Sequence, residues 1–360
     1  MTDTSAKAGQ PQEFEKVLSG SDSSVANFET HERSALERMQ HFLHGNPAMV
    51  PLIVLVLSIL IFGVILGGRF FSLFTLTLIL QQVAITGIIG AAQTLVILTS
   101  GIDLSVGAIM VLSSVVMGRF TFHYGLPVPI AILCGFACGA ICGYVNGFLV
   151  ARMKLPPFIV TLGTWQIVLA ANFLYSGNET IRSQDIEAKA PLLQLFGVTF
   201  RAGGAVFTLG VIAMVLLVVG LWFVLNHTAW GRHVYAVGDD PDAAELSGVG
   251  STRVLVQIYT LSGIICALGG WVLIGRLGSV SPTSGQFANI ESITAVVIGG
   301  ISLFGGRGSI LGMIFGALIV GVFQLGLRMV GTDPQWTYLL IGVLIIGAVA
   351  IDQWIRRVAG

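Results

Sequence analysis

From Met49 onward the chain is written in long apolar runs separated by short polar breaks. A helix needs about 20 predominantly apolar residues to cross the hydrocarbon core of a bilayer. Read by that length, the runs predict ten segments: 49–67, 74–98, 101–118, 127–150, 158–175, 205–226, 254–275, 292–302, 309–327 and 337–351. Two are exceptional: 292–302 is too short to cross as a full helix, and 101–118 opens on a Gly-Ile-Asp break. Both read as half-helices or re-entrant pieces, which membrane proteins tolerate where the backbone is buried in protein or lines a cavity. The expected fold is all-α and polytopic, with about ten transmembrane helices; merging the two short pieces gives eight spans as the alternative.

Composition supports this class. Charged residues make up 10% of the 360 and hydrophobic ones 54%, against about 25% charged in a soluble domain. The charges are also unevenly placed, with 11 of 36 lying before Pro47. Residues 1–46 therefore read as a polar cytoplasmic tail, mostly disordered, with a short helix around 26–43. They carry no apolar stretch followed by a small-residue cleavage site, so the tail is expected to stay on the protein. Residues 47–355 form the transmembrane domain, and 356–360 a cytoplasmic C-terminus.

Short basic loops prefer the cytoplasm. With the tail inside, ten crossings put Arg152, Lys154, Arg232, Arg253, Arg307, Arg356 and Arg357 on the cytoplasmic side, while Arg69, Arg119, Arg276 and Arg328 fall outside. The loop 176–204 then lies outside. The balanced charge and pI near 7.0 leave no basic stripe for phosphates, so no nucleic-acid partner is expected.

Cys134, Cys138 and Cys142 share one helix face, a spacing that could in principle hold a soft metal. Gly135, Gly139 and Gly143 run beside them, and a small-xxx-small stripe for close helix approach is the favoured reading, so no metal is expected. A weak echo links residues 85–110 with 293–318. Each has an apolar stretch, a Gly-containing break and a small-residue helix, as repeated transporter halves would; shared composition explains the echo equally well.

Asp103 alone among the acids is read as flanked on both sides by deep apolar sequence. A carboxylate at that depth is by default a functional-site hypothesis. The competing reading, favoured by the helix break beside it, is an N-terminal cap. The other polar residues inside spans are neutral, among them Gln81, Gln82, Gln93, Asn146, Gln166, Asn172 and Gln324, with Trp165 beside Gln166. Neutral amides with an aromatic face suit a polyhydroxyl solute, and they equally serve interhelical hydrogen bonding. Gln82, Asp103, Asn146, Gln166 and Asn172 are the candidate pathway residues.

The stretch 227–253 is too long for a plain connector. Asp240-Pro241 reads as a turn into a short acidic helix that ends near Gly248 and Gly250. Such a helix buries little against its own chain and so points to a docking partner. No phosphate-loop motif, HExxH pair or nucleophile elbow occurs, so neither ATP hydrolysis by that route nor hydrolase chemistry is expected, and no catalytic residue or cofactor is assigned.

Three motifs coincide: TSGIDLSVGAI at 99–109, GRHVYAVGDDPDAAELSGVG at 231–250, and ITAVVIGGISLFGGRGSILG at 293–312, with LPPFIVTLGT at 155–164 in support. Together they resemble the permease subunits of bacterial ATP-binding-cassette importers for monosaccharides, the ribose, xylose and galactose branch, with fructose import the nearest variant. The resemblance implies a homodimer in the inner membrane, driven by a cytoplasmic ATPase subunit and supplied by a periplasmic sugar-binding protein; the basic loops put both termini in the cytoplasm. The family's coupling segment falls here on Gly231, Asp240, Pro241, Ala243, Ala244, Glu245 and Gly248. The alternative, an ion-coupled secondary transporter, would need titratable groups inside the spans, and Asp103 is the one candidate.

Overall fold

The computed structural model describes residues 48–359. In chain order the helices are α1 (Met49–Leu66), α2 (Leu73–Leu98), α3 (Val106–Phe122), α4 (Val128–Ala151), α5 (Pro157–Ser176), α6 (Ser183–Lys189), α7 (Leu209–His227), α8 (Ala229–Asp239), α9 (Pro241–Leu246), α10 (Ser251–Leu277), α11 (Ala288–Ile298), α12 (Ile310–Val330) and α13 (Pro334–Ala359). Two strands, β1 (Thr199–Ala202) and β2 (Ala205–Thr208), pair antiparallel as a hairpin. Each of the ten expected apolar segments contains a helix, and the chain is an all-α polytopic membrane protein. The tail reading, including the helix around 26–43, lies outside the described residues.

Local chemistry sets several helix starts. Ser72 Oγ accepts the Thr75 N–H at 3.1 Å to open α2, and Thr228 Oγ1 accepts from Gly231 N at 3.2 Å to open α8. Pro157, at the head of α5, lacks a donor that the first turn could not use.

Four boundaries differ from the sequence expectation. The half-helix expected at 101–118 is α3, beginning five residues later, because Gly101–Ser105 forms the break itself. The piece expected at 292–302 is α11 at 288–298; it takes in the polar Asn289 and Glu291 and stops at Gly299-Gly300, where Gly300 has φ 74°. The segment expected at 205–226 opens as strand β2, since residues 205–208 pair with 199–202. The last helix runs on to Ala359, past the expected end at 351 and the expected domain edge at 355.

Burial separates an inner from an outer set of helices. In α10, 72% of the most apolar window is buried and in α12 61%, against 22% in α5 and 28% in α4. The outer helices expose Val64, Leu133, Ile167, Leu174 and Leu216, apolar faces that a hydrocarbon environment accepts.

The seam between α4 and α10 is built on glycine. A Cβ at Gly139 would strike the Gly263 carbonyl, one at Gly143 the Tyr259 carbonyl, and one at Gly147 would sit 2.9 Å from Val256 Cα. Of the glycine stripe expected at 135, 139 and 143, the last two continue to Gly147 and let the backbones of α4 and α10 touch, while Gly135 packs against Met117 of α3. Cys134, Cys138 and Cys142 are free and half-buried beside the stripe. Replacing all three by alanine is expected to leave membrane yield and melting temperature near wild type, each change costing less than about 1 kcal/mol. A collapse in either measurement would show that the thiols do more than pack.

Candidate functional site

Two regions combine buried polarity with unusual backbone geometry. The first is a junction at the basic end of the bundle, where α2 stops at Leu98 and α8 ends at Asp239. Ser100 has φ 61°; its Oγ lies 2.8 Å from the Gly238 carbonyl and 2.7 Å from the Phe304 carbonyl. The Gly306 N–H donates to Leu98 O at 3.0 Å, and Tyr235 Oη donates to Gly308 O at 3.0 Å. Burial pushes the Tyr235 phenol above its ordinary pKa. Three stretches therefore lock together: the break at 99–105, the end of α8, and the break at 299–309. The two breaks are those of the internal echo, each joining one helix to the next in the same order.

From this junction the first break is held by side chains. Asp103, 1% exposed, accepts the Ser105 N–H at 2.8 Å and the Ser105 hydroxyl at 2.5 Å. Asn146 Nδ2 donates to Ser105 Oγ at 2.9 Å, and Thr161 Oγ1 donates to the Ile102 carbonyl at 2.9 Å. The Gln93 amide, oriented to satisfy both partners, donates to Asp103 O at 2.9 Å and accepts Asp103 N–H at 3.2 Å. Asp103 thus closes an Asx turn just ahead of α3 rather than capping its first turn directly. Asp103 and Asn146 share this buried network through Ser105, and neither lines either of the two cavities that meet at residues 284–287.

The second region is a pair of cavities divided by residues 284–287, which line both. The larger, about 450 Å3, is bordered by α2, α10 and the start of α11. A chain of polar groups crosses its wall. Arg276 donates to the Gln82 carbonyl and side-chain oxygens, Gln82 Nε2 donates to Gln324 Oε1 at 3.0 Å, and Gln324 Nε2 donates to Glu291 Oε1 at 3.1 Å. Thr86 Oγ1 donates to Glu291 at 3.4 Å. The smaller cavity, about 280 Å3, lies between α3, α5 and residues 282–289 and includes Asn172 and Trp165.

Of the candidate pathway residues, Gln82 and Asn172 therefore border different cavities. Gln166 is exposed on the outer side of α5 and borders neither. Asp103 is not the one titratable candidate among the helices: Glu291, on α11 behind a polar stretch, lines the larger cavity with Arg276. Both escaped a reading by hydropathy because a charge beside an apolar run looks like the end of a span. Asn289 was missed for the same reason. The available signal was the pair Gly299-Gly300, which fixes where a short helix must stop and so moves its start back over these residues.

The stretch 227–253 folds as two helices, α8 and α9, where the sequence predicts one short acidic helix. Gly231 is buried, and a Cβ there would strike the Leu225 carbonyl. Asp240 Oδ1 accepts from Asp242 N at 2.9 Å and Ala243 N at 3.0 Å, with Pro241 in the first turn; this is the expected turn into a short acidic helix. Ala244 packs inward at 4% exposure, while Ala243 and Glu245 face out and Leu246 is 92% exposed. Gly248 follows at φ 85°, whereas Gly250 precedes α10 as its N-cap.

Residues 75–349 match the family described as branched-chain amino acid transport system / permease component. The fructose import permease protein FrcC of Rhizobium meliloti is 74% identical over 359 residues, covering all of both chains. The ribose import permease protein RbsC of Bacillus subtilis is 38% identical over 324 residues, 90% of this chain and 98% of that one. The galactose/methyl galactoside import permease protein MglC of Escherichia coli K12 is 33% identical over 334 residues, 89% of this chain and 98% of that one. No solved structure matches significantly. With a helical bundle interrupted by two interlocked breaks, a family match over most of its length and end-to-end relatives among import permeases, the chain belongs to this family of membrane permease components.

Proposed function

We propose that the chain is the membrane-spanning subunit of an ATP-binding-cassette importer that carries a monosaccharide, fructose foremost, across a bacterial inner membrane. The observation that carries the reading is the end-to-end identity of 74% with a fructose import permease. In this reading two copies enclose one path, a cytoplasmic ATPase supplies the energy, a periplasmic binding protein delivers the sugar, and both termini face the cytoplasm. The surface for the ATPase is α9 with the end of α8, where Leu246, Glu245 and Ala243 project beyond a helix anchored by Ala244. Motion of that surface reaches both breaks through Ser100 and Gly238, because these three stretches share hydrogen bonds. ATP-driven rocking of packed helices then opens the path alternately to each side.

Uptake of labelled fructose by a strain lacking its own fructose importers tests the substrate, with ribose, galactose and leucine as competitors. Failure of fructose to accumulate, or its displacement by leucine alone, would overturn the sugar reading. Glu291 at a cavity favours the ion-coupled alternative; uptake that survives loss of the ATPase subunit and stops on addition of a protonophore would establish it. The coupling surface has its own test. Replacing Leu246 with aspartate and Glu245 with lysine is expected to lower ATP-driven uptake at least tenfold while the purified permease keeps its melting temperature, since both side chains are exposed on α9. Normal uptake by this double variant would remove α9 as the docking element.

A further inference from the structure

The smaller cavity carries an inference about what it binds. None of its lining residues is charged; the distinctive ones are Trp165, Phe173, Asn172, Asn289, Gln286 and Phe287. Asn172 is 1% and Asn289 2% exposed. Asn172 Nδ2 donates to the Pro282 carbonyl at 2.9 Å, and Asn289 Nδ2 donates to the Leu104 carbonyl at 3.3 Å. Only an amide N–H can donate to a carbonyl, so both amide orientations are fixed and both Oδ1 atoms are acceptors. Neither Oδ1 has a hydrogen-bond partner. A buried acceptor left unmade costs about 1–3 kcal/mol, and a ligand that brings donors to this cavity would relieve that cost at two residues lining it.

The complement of this lining is specific. The ligand must present at least two hydroxyl-type donors, carry no negative charge to oppose the amide oxygens, and offer an apolar face to the aromatic rings. At about 280 Å3, the space sits at the lower edge of ligand cavities, about 300–1,000 Å3, which favours one sugar ring over two. We propose that this cavity is a monosaccharide site within the permease, where Asn172 and Asn289 accept hydrogen bonds from sugar hydroxyls and Trp165 covers a C–H face. The site rests on the sugar-import reading and adds that the permease itself reads hydroxyl groups, beyond whatever selection a delivery protein makes. A phosphorylated sugar or an amino acid would bring anionic oxygens to acceptors that cannot donate.

Fructose titrated into the full-length permease in lipid nanodiscs, followed by tryptophan fluorescence, tests the site. A saturable change is expected that disappears in Trp165→Phe, a variant that keeps an aromatic ring in place. Asn172→Ala and Asn289→Ala are expected to raise its midpoint about tenfold each, as loss of one hydrogen bond of about 1.4 kcal/mol implies, and fructose 6-phosphate is expected to produce no change. An unaltered response in Trp165→Phe, an equal response to fructose 6-phosphate, or no saturable response in the wild type would each overturn the site. Melting temperatures of the asparagine variants separate a binding defect from a folding defect, and the Trp165→Phe result stands even where an asparagine variant misfolds. If the titration fails while the intact importer still accumulates fructose, the site is wrong and the import reading stands. If leucine binds in place of fructose, both fall.

Discussion

Gly238→Ala is expected to abolish transport and to destabilise the permease by about 3 kcal/mol, an overpacking strain with a disrupted backbone hydrogen bond added to it. Gly238 ends α8 where three backbone stretches converge. A Cβ there would strike the Leu98 carbonyl and lie 2.7 Å from Gly306 N, and those two atoms are themselves hydrogen-bonded at 3.0 Å. Alanine must therefore break that bond or push α8 away from both breaks. The second outcome also pulls the Gly238 carbonyl from Ser100 Oγ, severing the route from the docking surface to the bundle. The control is Gly250→Ala, whose Cβ would meet nothing nearer than Arg253 Cβ at 3.9 Å; it is expected to melt and transport like wild type. Membrane yield, thermal melting in detergent and fructose uptake measure the effect. Wild-type behaviour of Gly238→Ala in all three would mean that the junction is loose and transmits nothing.

The second large effect concerns Asp103. Asp103→Leu is expected to cost about 3–5 kcal/mol and to leave little folded permease in the membrane. It strands the Ser105 N–H and hydroxyl in a site where Asp103 is 1% exposed and Ser105 fully buried, and each orphaned buried donor carries a penalty of about 1–3 kcal/mol. Asp103→Asn keeps an oxygen where Oδ1 accepts and removes only the charge. It is expected to fold and to retain uptake within about threefold, since the remaining neutral hydrogen bonds are each worth about 1 kcal/mol. The contrast separates two roles, since an acid that relays protons loses its function when converted to asparagine, whereas a turn-forming acceptor does not. A well-folded Asp103→Asn permease with no uptake would establish the relay role.

How much of this was legible in the chain differs from element to element. The ten apolar segments and the turn at Asp240-Pro241 follow from length, hydropathy and capping chemistry. These depend on residues adjacent in sequence, so the sequence suffices. The glycine stripe on α4 was legible as a stripe, yet its partner, the Tyr259 and Gly263 stretch of α10, was not, because helix pairing in a membrane is chosen by shape among many small-residue faces. Helix α8 was read as loop because a short amphipathic helix at a membrane edge is fixed by what it packs against, here through Val234 and Val237, both fully or nearly fully buried.

The candidate site divides along the same line. Gln82 and Asn172 were identifiable as neutral amides within spans, whereas Asn146 and Gln166 had the same chemistry and went to a buried network and an exposed face. One-dimensional sequence cannot tell these fates apart, since they depend on which way a helix is rotated among its neighbours. Sequence alone determined the membrane class, the apolar segments, the presence of both breaks and the short acidic helix, each a matter of local composition and backbone preference. Only the tertiary structure decided that the two breaks lock onto the end of α8, and that Arg276 and Glu291 enter one cavity while Asn289 joins Asn172 beside the other. Those decisions rest on contacts between residues far apart in the chain, where steric fit and the pairing of buried polar groups, rather than local preference, set the outcome.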